Sequence, residues 1–489
     1  MFLKLDGKGA LFEQIYRAVR AGILDGRLAP GSRAPATREL ARELHVSRNV
    51  AMMAYQQLIA EGYLASRRGA GTFVAHELPE RLTTVGRRRA ARSRDALPSP
   101  RLSAYARRTR EEAAVAPLRW EPRRAALPYD FRYGRPAFAD FPHDTWCRIL
   151  ARRARRATIR DLDYLPAEGL PALRETIAGY AARARGIECS PDQVMVLSGS
   201  QQAFDLAARV LIDPGDTVIF EEPHYRAGRI AMKAAGARIE TVAVDDHGLP
   251  VDQLAHRSAC RMAVVTPSHQ FPTGAVMPLA RRLELIRWAN RAGACVFEDD
   301  YDSEYRYEGR PIEAMRALDE FGCVLYAATF SKLMFPALRL GYMILPDSMV
   351  DSFRSAKALA DTGCPALPQL ALVDFIREGH FERHLHRLRV RNASRRAAML
   401  EAIDRYLGNR ARVTGINAGI HALIWLPEFP FRETREIRAR AERLGVGVYS
   451  VGPFYLKPPP HAGLILGYSS LPEKQIAEGI RRLAAALNS

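Results

Sequence analysis

The chain has 489 residues, which is too many for one ordinary hydrophobic core and predicts two or more domains. Its formal net charge of +18 suits a polyanionic partner, although an arginine-rich composition alone would give the same excess of positive charge. A mean hydropathy of -0.19 and the lack of any apolar run of about 18 residues exclude a protein that spans a membrane through helices. The six cysteines stand singly and the start of the chain lacks a secretory signal, so we expect no disulfide framework, no metal site and a reducing, cytoplasmic location.

Residues 1–76 predict a small domain of three helices and a hairpin. Apolar residues recur at helical spacing from Leu11 to Ile23, a short second helix follows, and Ser47 is positioned to cap a third. The segment YLASRRGAGTFVA then predicts two short strands around a basic glycine turn. Such an order indicates a winged helix-turn-helix (α+β), whose third helix enters the major groove of double-stranded DNA.

The stretches LAPGSR, TRELARELHVSRNVAMMAYQQL, EGYL and RRGAGTFV resemble the GntR family of bacterial winged-helix regulators over nearly all of residues 10–75. By that resemblance the expected DNA contacts are Arg38, Ser47, Arg48, Arg68 and Gly69. Ser47 at a helix N-terminus suits a phosphate, Arg48 can reach base edges or backbone, and the wing tip would meet the minor groove. His45 stands where the family usually has glycine. A degenerate winged helix used for protein contacts is the alternative.

Residues 77–125 predict a linker. They are rich in arginine, proline, alanine and serine and contain few large aliphatic residues, so they cannot bury enough apolar area to offset the entropy of ordering. A short helix is expected near residues 104–113. The arginines either contact DNA phosphates or only keep the tether in solution.

From residue 126 to the C-terminus at residue 489, β-branched runs alternate with helical stretches, the pattern of a parallel sheet with crossover helices. The strand candidates are QVMVL, TVIFEE, RIETVAV, MAVVTP, ACVFEDD, VLYAAT and LGYMIL. We expect a large α/β lobe over about residues 145–345 and a smaller C-terminal α+β lobe.

Lys332, in TFSKLMFPALRLGY, lies in a context that predicts a covalent cofactor. A lysine becomes a Schiff-base nucleophile when its site lowers its pKa and presents an aldehyde, and pyridoxal 5'-phosphate (PLP) is the usual aldehyde. PLP also needs a carboxylate at its pyridine nitrogen and a hydroxyl at its phenolic oxygen. Asp299, at the end of a predicted strand, and Tyr301, two residues later, are the candidates.

A phosphate cradle is the remaining requirement of PLP. Ser200 and Gln201 follow a predicted strand and begin a predicted helix, where backbone amides stabilise a phosphate. Ser331 and Arg339 would complete the cradle. Each match is weak alone, since a Ser-Lys pair is more often part of a solvated loop, but their order on alternating strands and helices favours a PLP site.

Eight stretches of the second half resemble the fold-type-I, class I aminotransferases: DFRYGRPAFADFP, DYLPAEGLPALRE, SGSQQA, EEPHYRAG, PSHQFPTG, FEDDYDSEYRYEGRPI, TFSKLMFPALRLGY and EGHFERHLHRLR. The whole chain, a winged helix followed by an arginine-rich linker and this domain, is similar to the MocR-type regulators. The resemblance implies an α/β fold-type-I aminotransferase domain that binds PLP.

The resemblance also implies a role for each site residue. Lys332 would hold PLP as a Schiff base, Asp299 would keep the pyridine nitrogen protonated, and Tyr301 would bond the phenolic oxygen. Tyr225 would stack on the ring, and Tyr164 would reach the phosphate of the neighbouring subunit in a head-to-tail homodimer. The implied phosphate ligands are Ser200, Gln201, Ser331 and Arg339.

Two positions depart from the aminotransferase pattern. Ile465, in GLILGYSS, stands where amino-acid aminotransferases carry the arginine that binds the substrate α-carboxylate. The nearby stretch VYSVGPFYL offers Pro453 and no cation. Arg389 is another arginine available in the sequence. PSHQFPTG lacks the asparagine of NPTG and offers His269 and Gln270 instead. Because positioning supplies much of such an enzyme's rate, efficient transamination is not expected.

The sequence thus predicts a cytoplasmic, PLP-dependent transcription regulator that binds promoter half-sites and senses an amine, an amino acid or PLP itself through aldimine chemistry at Lys332. An active aminotransferase with an accessory winged helix is the alternative. A DNA-binding protein with a dead PLP fold is the third interpretation.

Overall fold

The computed structural model describes residues 5–67, 70–78, 100–115, 127–255, 259–307 and 313–488. The chain divides into two compact units, Met1–Arg101 and Leu102–Ser489. The first unit contains the predicted winged helix, whose elements are α1 (Leu11–Leu24), α2 (Thr37–Glu43), α3 (Arg48–Ala60), β1 (Leu64–Arg67) and β2 (Gly71–Val74).

The three helices of the first unit each contribute one apolar face to a common core. Ile15 of α1, Leu40 of α2 and Leu58 of α3 are all at most 1% exposed. The strands β1 and β2 pair antiparallel as a hairpin. His45, between α2 and α3, has a φ of 52°, in the left-handed region that glycine adopts most readily. Histidine therefore closes the turn between α2 and α3 in a left-handed backbone conformation.

The second unit is built on a seven-stranded sheet. After the short strand β3 (Tyr129–Asp130), its strands are β4 (Val194–Leu197), β5 (Thr217–Glu222), β6 (Arg238–Ala243), β7 (Cys260–Val265), β8 (Cys295–Asp300), β9 (Val324–Thr329) and β10 (Gly341–Ile344). Their order across the sheet is β4-β10-β9-β8-β7-β5-β6. The seven predicted strands are therefore present.

One strand departs from the predicted parallel sheet. β10 runs antiparallel to both of its neighbours, β4 and β9, while the other pairs are parallel. Only residues 330–340 connect β9 to β10, which is too short a link for a crossover helix. The chain therefore turns back at this point, and the sheet is mixed rather than all parallel.

Helices cover both faces of the sheet, because alternate residues of β4 enter different apolar clusters: Val194 and Val196 one, Met195 and Leu197 another. The helices of this lobe and its approach are α4 (Ala104–Val115), α5 (His143–Arg155), α6 (Ile159–Leu162), α7 (Pro171–Arg185), α8 (Ser200–Leu211), α9 (Arg226–Ala235), α10 (Leu279–Ala292), α11 (Val350–Asp361) and α12 (Ala366–Arg377). The helix expected near residues 104–113 is α4, and it packs on α9.

The C-terminal part forms the smaller α+β lobe that the sequence predicts. Its elements are α13 (His380–Tyr406), β11 (Arg412–Thr414), β12 (His421–Pro430), α14 (Thr434–Arg443), β13 (Val446–Gly447), β14 (Tyr449–Ser450), β15 (His461–Gly467) and α15 (Glu473–Asn488). β11, β12, β15 and β14 form an antiparallel sheet, and β13 pairs with β3. Across the described part of the chain, no helix combines the length and apolarity needed to cross a membrane.

Candidate cofactor and DNA-binding sites

A cavity of about 370 Å³ lies at the carboxyl edge of the seven-stranded sheet. β4 and β9 both run antiparallel to β10, so the segments that follow β4, β8 and β9 reach the same edge. The cavity brings together eight of the nine residues predicted to bind the cofactor: Ser200, Gln201, Tyr225, Asp299, Tyr301, Ser331, Lys332 and Arg339. Residues that are far apart in the chain thus meet because parallel strands end side by side.

Lys332 lies in the 3-10 turn Phe330–Lys332 that directly follows β9. Its Nζ donates a hydrogen bond to the carbonyl oxygen of Gly134 at 3.0 Å. Burial lowers the pKa of Lys332, and the carboxylates of Asp302 and Asp299 oppose that shift. The amine therefore loses its proton more readily than an ordinary lysine, as a nucleophilic lysine must.

Asp299 is buried beside Lys332 with one oxygen unsatisfied. Asp299 is 5% exposed, and burial together with the charge of Asp300 raises the pKa of its carboxyl group to about 7. Within the described ranges, its Oδ1 has no hydrogen-bond partner. A buried carboxylate oxygen without a donor is costly, and the protonated pyridine nitrogen of PLP is a donor that would satisfy it. The residues present therefore fit PLP.

The opposite part of the cavity is suited to a phosphate. α8 begins at Ser200, after Gly199 with a φ of 104°, and the first amides of a helix have no acceptor within that helix. The Arg339 guanidinium packs over Gly199, since a Cβ there would lie 3.3 Å from its Nη1. No carboxylate of the described chain forms a salt bridge with Arg339. A cation and a helix N-terminus thus face the same space.

The two predicted tyrosines stand in the cavity wall. Tyr225 precedes α9, its hydroxyl lies 3.5 Å from Gln201 Oε1, and burial raises its pKa to about 12. The Tyr301 hydroxyl lies 3.0 Å from Nδ1 of His269, which is itself 3.1 Å from Asp302 Oδ2. Both phenols are therefore protonated at neutral pH and held in place by polar neighbours.

Tyr164, the ninth predicted residue, does not line the cavity. It is 88% exposed. Gln270 is also outside the cavity, since its side-chain amide is buried in the preceding loops and donates to Pro223 O at 2.7 Å and Glu221 Oε2 at 3.2 Å. Arg389 lies in another cavity, where its Nε donates to Glu304 O at 2.7 Å. The side chains of Gln270 and Arg389 thus form hydrogen bonds outside the cavity around Lys332.

Ile465 occupies an apolar environment. It is fully buried on β15 in a cluster with Phe271, Leu423, Val451 and Phe454. This packing is consistent with an apolar residue at the position where aminotransferases carry the arginine that binds the substrate α-carboxylate. The aliphatic and aromatic side chains of the cluster offer a carboxylate no hydrogen-bond donor.

Sequence reasoning missed Gly134 and His421, which also line the cavity. Gly134 has a φ of 70°, and a Cβ there would lie 3.0 Å from Lys332 Nζ, so glycine lets the backbone approach the lysine. His421 begins β12 in the small lobe, where nothing in the spacing of HALIWLP marks it as a site residue. The glycine in DFRYGRP was the only available signal.

The predicted DNA contacts that the structure describes lie on the surface of the first unit. Arg38 on α2, Ser47 and Arg48 are all exposed. Ser47 caps α3 through a hydrogen bond from Val50 N to its Oγ at 3.4 Å, which places Arg48 in the first turn of α3. The wing residues 68–69, which include the predicted Arg68 and Gly69, lie outside the described residues.

Two family comparisons match the two units. The gntR family of bacterial regulatory proteins matches residues 11–74, and aminotransferase class I and II matches residues 140–480. The chain is 37% identical to a protein named "Probable rhizopine catabolism regulatory protein MocR" from Rhizobium meliloti, over 99% of this chain and 95% of that protein. It is 32% identical to the HTH-type transcriptional regulator TauR of Rhodobacter capsulatus, over 99% of this chain and 98% of the relative.

The second unit also resembles solved aminotransferase structures. α-Aminoadipate aminotransferase LysN from Thermus thermophilus, complexed with N-(5'-phosphopyridoxyl)-L-leucine, is 29% identical with a TM-score of 0.70, over 79% of this chain and 97% of that one. Fold, order of domains and full-length similarity agree. The chain therefore belongs to the MocR-type transcriptional regulators, in which a gntR-family winged helix precedes an aminotransferase class I and II domain.

Proposed function

We propose that this protein regulates transcription by binding double-stranded promoter DNA through its winged helix, under the control of PLP and a small amino compound bound in the cavity around Lys332. The observation that carries the proposal is the meeting, in one cavity, of a lysine of lowered pKa, a buried carboxylate and an arginine at a helix N-terminus. Among the residues that the structure describes, one oxygen of that carboxylate has no hydrogen-bond partner and the arginine has no salt bridge.

PLP supplies an aldehyde carbon that bonds reversibly to primary amines. Lys332 would hold the cofactor, Asp299 would keep the proton on its pyridine nitrogen, Tyr301 would donate to its phenolic oxygen, and Tyr225 would cover its ring. Its phosphate would be bound by Ser200, Gln201, Ser331 and Arg339. The lowered pKa of Lys332 supports this assignment because an uncharged amine is the reactive form.

Sensing is favoured over turnover by the surroundings of two residues at positions where aminotransferases hold a substrate. Ile465 is buried among apolar side chains, and Gln270 is engaged with Pro223 and Glu221. A substrate that is held loosely reacts slowly, since orientation accounts for much of an enzyme's rate. Sustained formation of a keto acid from an amino donor and 2-oxoglutarate would instead favour the aminotransferase interpretation.

The assembly belongs to the same proposal. Tyr164 is 88% exposed and outside the cavity of its own chain, which is expected if it contacts the phosphate of a neighbouring subunit. A head-to-tail homodimer would present two winged helices to two half-sites of DNA. We further propose that the protein works in the cytoplasm, where DNA and PLP are both available.

The cofactor assignment is tested on the full-length protein with Lys332→Ala and the control Lys474→Ala, which removes an exposed lysine of α15. Wild type and the control should absorb visible light after loading with PLP and, after borohydride reduction, yield a modified peptide that contains residue 332. Lys332→Ala should give neither signal and remain folded. Wild-type protein that stays colourless and yields no adduct would refute the assignment.

A further inference from the structure

The cavity has an aromatic wall centred on Phe271. Its ring centroid lies 6.0 Å from that of Tyr133, 5.8 Å from that of Tyr301 and 5.5 Å from that of His421, and all four residues line the cavity. Tyr133 precedes Gly134, whose carbonyl accepts the hydrogen bond of Lys332 Nζ. A ligand whose amine occupies the position of that nitrogen therefore lies against this wall.

The wall offers no cation to a ligand carboxylate. Of the described residues that line the cavity, only Lys332 and Arg339 are cationic, and the proposed function engages both with the cofactor. Phe271 is itself backed by Ile465, Val451 and Phe454 in one apolar cluster. A carboxylate attached next to the ligand's amine would thus be removed from water without a cation to pair with, which is unfavourable.

His421 supplies the wall with an uncharged polar group. Burial lowers its pKa well below the ordinary value, so the ring is neutral at neutral pH. Within the described ranges, its buried Nε2 has no hydrogen-bond partner. A nitrogen of a neutral imidazole is either a donor or an acceptor, and a hydroxyl can pair with both. An unsatisfied buried nitrogen of this kind therefore favours a ligand that brings a hydroxyl.

We propose that the ligand of this site is an amino alcohol, a primary amine that carries a hydroxyl and no carboxylate beside the amine. The inference rests on the proposed function and narrows its ligand class. The aromatic wall selects against the acid, with Ile465 packed in the apolar cluster that includes Phe271, and His421 selects for the hydroxyl. His421 thus acts as a specificity-determining residue, and Ile465 acts through the wall that it supports.

Three compounds that differ at one group test the inference: alaninol, alanine and propan-2-amine. Each is titrated into full-length, PLP-loaded protein, and binding is followed by calorimetry and by the visible spectrum. We expect alaninol to bind about tenfold more tightly than propan-2-amine, which lacks the hydroxyl. The difference in affinity between alaninol and alanine should be larger than that. Alanine binding as tightly as alaninol would overturn the exclusion of acids. Propan-2-amine equal to alaninol would overturn the role of the hydroxyl.

Two variants assign the selectivity to residues. His421→Phe should bring alaninol down to the affinity of propan-2-amine and leave that of propan-2-amine unchanged. Ile465→Arg should raise the affinity for alanine about tenfold, while the control Ile465→Leu keeps the wild-type order. An unchanged preference for alaninol in His421→Phe, a variant that adds no buried charge, would refute the assignment even if Ile465→Arg does not fold.

Failure of the inference can be separated from failure of the proposed function. Hydroxylamine reacts with PLP whatever the wall selects, so a spectral change with hydroxylamine but none with alaninol would overturn the amino-alcohol proposal and leave the cofactor site intact. Protein that shows no PLP spectrum and no adduct at Lys332 would overturn both.

Discussion

Replacing Glu112 with glutamine should loosen α4 from α9. The Glu112 carboxylate accepts hydrogen bonds from Lys233 Nζ at 2.6 Å and Arg229 Nη2 at 3.1 Å. Arg226 Nη2 donates to the backbone oxygen of Glu112 at 2.9 Å, and Arg108 donates to Ala234 O at 2.9 and 2.6 Å. The Glu112 carboxylate on α4 therefore faces two cations of α9, Arg229 and Lys233.

The magnitude follows from the exposure of the partners. Breaking a buried ion pair costs about 3–5 kcal/mol, whereas an exposed pair is worth about 0–1 kcal/mol. The side chains of Glu112 and Arg229 are 10% exposed and that of Lys233 is 40% exposed, so the interaction lies between these limits. We expect Glu112→Gln to cost about 2–3 kcal/mol, which corresponds to an opening of α4 that is roughly 30- to 150-fold more frequent.

Hydrogen exchange of the full-length protein measures that opening. The amides of α4 should exchange faster in Glu112→Gln, while the control Glu111→Gln, which alters an exposed carboxylate of the same helix, should exchange as wild type does. Equal exchange in the two variants would refute the role given to Glu112.

Acid should reproduce the effect of the substitution. Burial raises the pKa of Glu112, but the hydrogen bond from Lys233 and the charge of Arg229 outweigh it and hold that pKa below the ordinary 4.5. A folded pKa below the unfolded one gives stability that is present above about pH 4.5 and is lost as the pH falls further. The faster exchange of α4 in wild type should therefore appear only below that pH.

Three further predictions concern the two sites. Asp299→Asn should raise the melting temperature of cofactor-free protein more at pH 8 than at pH 4. Burial and the charge of Asp300 raise the Asp299 pKa to about 7, so the carboxyl opposes folding increasingly as the pH rises from about 4 to 7. A gain in melting temperature that is equal at both pH values would contradict this account. Gly199→Ala should destabilise the protein by about 1–3 kcal/mol in denaturant melts, since φ is 104° there, and should also weaken PLP binding; unaltered stability would contradict the strain argument. Arg48→Ala should weaken binding to a duplex selected by the wild-type protein about tenfold or more in fluorescence anisotropy at fixed salt, with the PLP spectrum unchanged; wild-type affinity would show that Arg48 makes no contact.

The core of the site was predictable because its residues follow strands. Asp299 is the last but one residue of β8 and Lys332 follows β9, and neighbouring parallel strands end at one edge whatever the intervening helices contain. A strand pattern in the sequence therefore already implies that such residues meet. The position of Ser200, a residue of the proposed phosphate cradle, was predictable for the same reason, since Ser200 begins the helix after β4.

Three features were not predictable, because no local sequence pattern determines them: the position of His421, the direction of β10 and the contact of α4 with α9. His421 begins β12 in the small lobe, and its burial depends on how that lobe closes on the cavity. The direction of β10 depends on the length of one connection rather than on hydrophobic pattern. The docking of α4 was missed because the polar composition of residues 77–125 predicts a tether with a short helix but no surface for that helix to pack on. In the structure, polar contacts at Glu112 bind α4 to α9.

One helix, α9, connects the cofactor cavity with α4. Tyr225 at its N-terminus lines the cavity, Gln201 Nε2 donates to Ala227 O in its first turn at 3.2 Å, and Arg229 lies one turn further on, where it binds Glu112. A helix moves as a rigid element, so a ligand that orders Tyr225 and Gln201 also orders the face that holds α4. Loading wild-type protein with PLP should therefore slow hydrogen exchange in α4, and Glu112→Gln should remove that effect without removing the PLP spectrum. Exchange in α4 that is the same with and without PLP would show that the cavity and the segment leading to the winged helix are not coupled through α9.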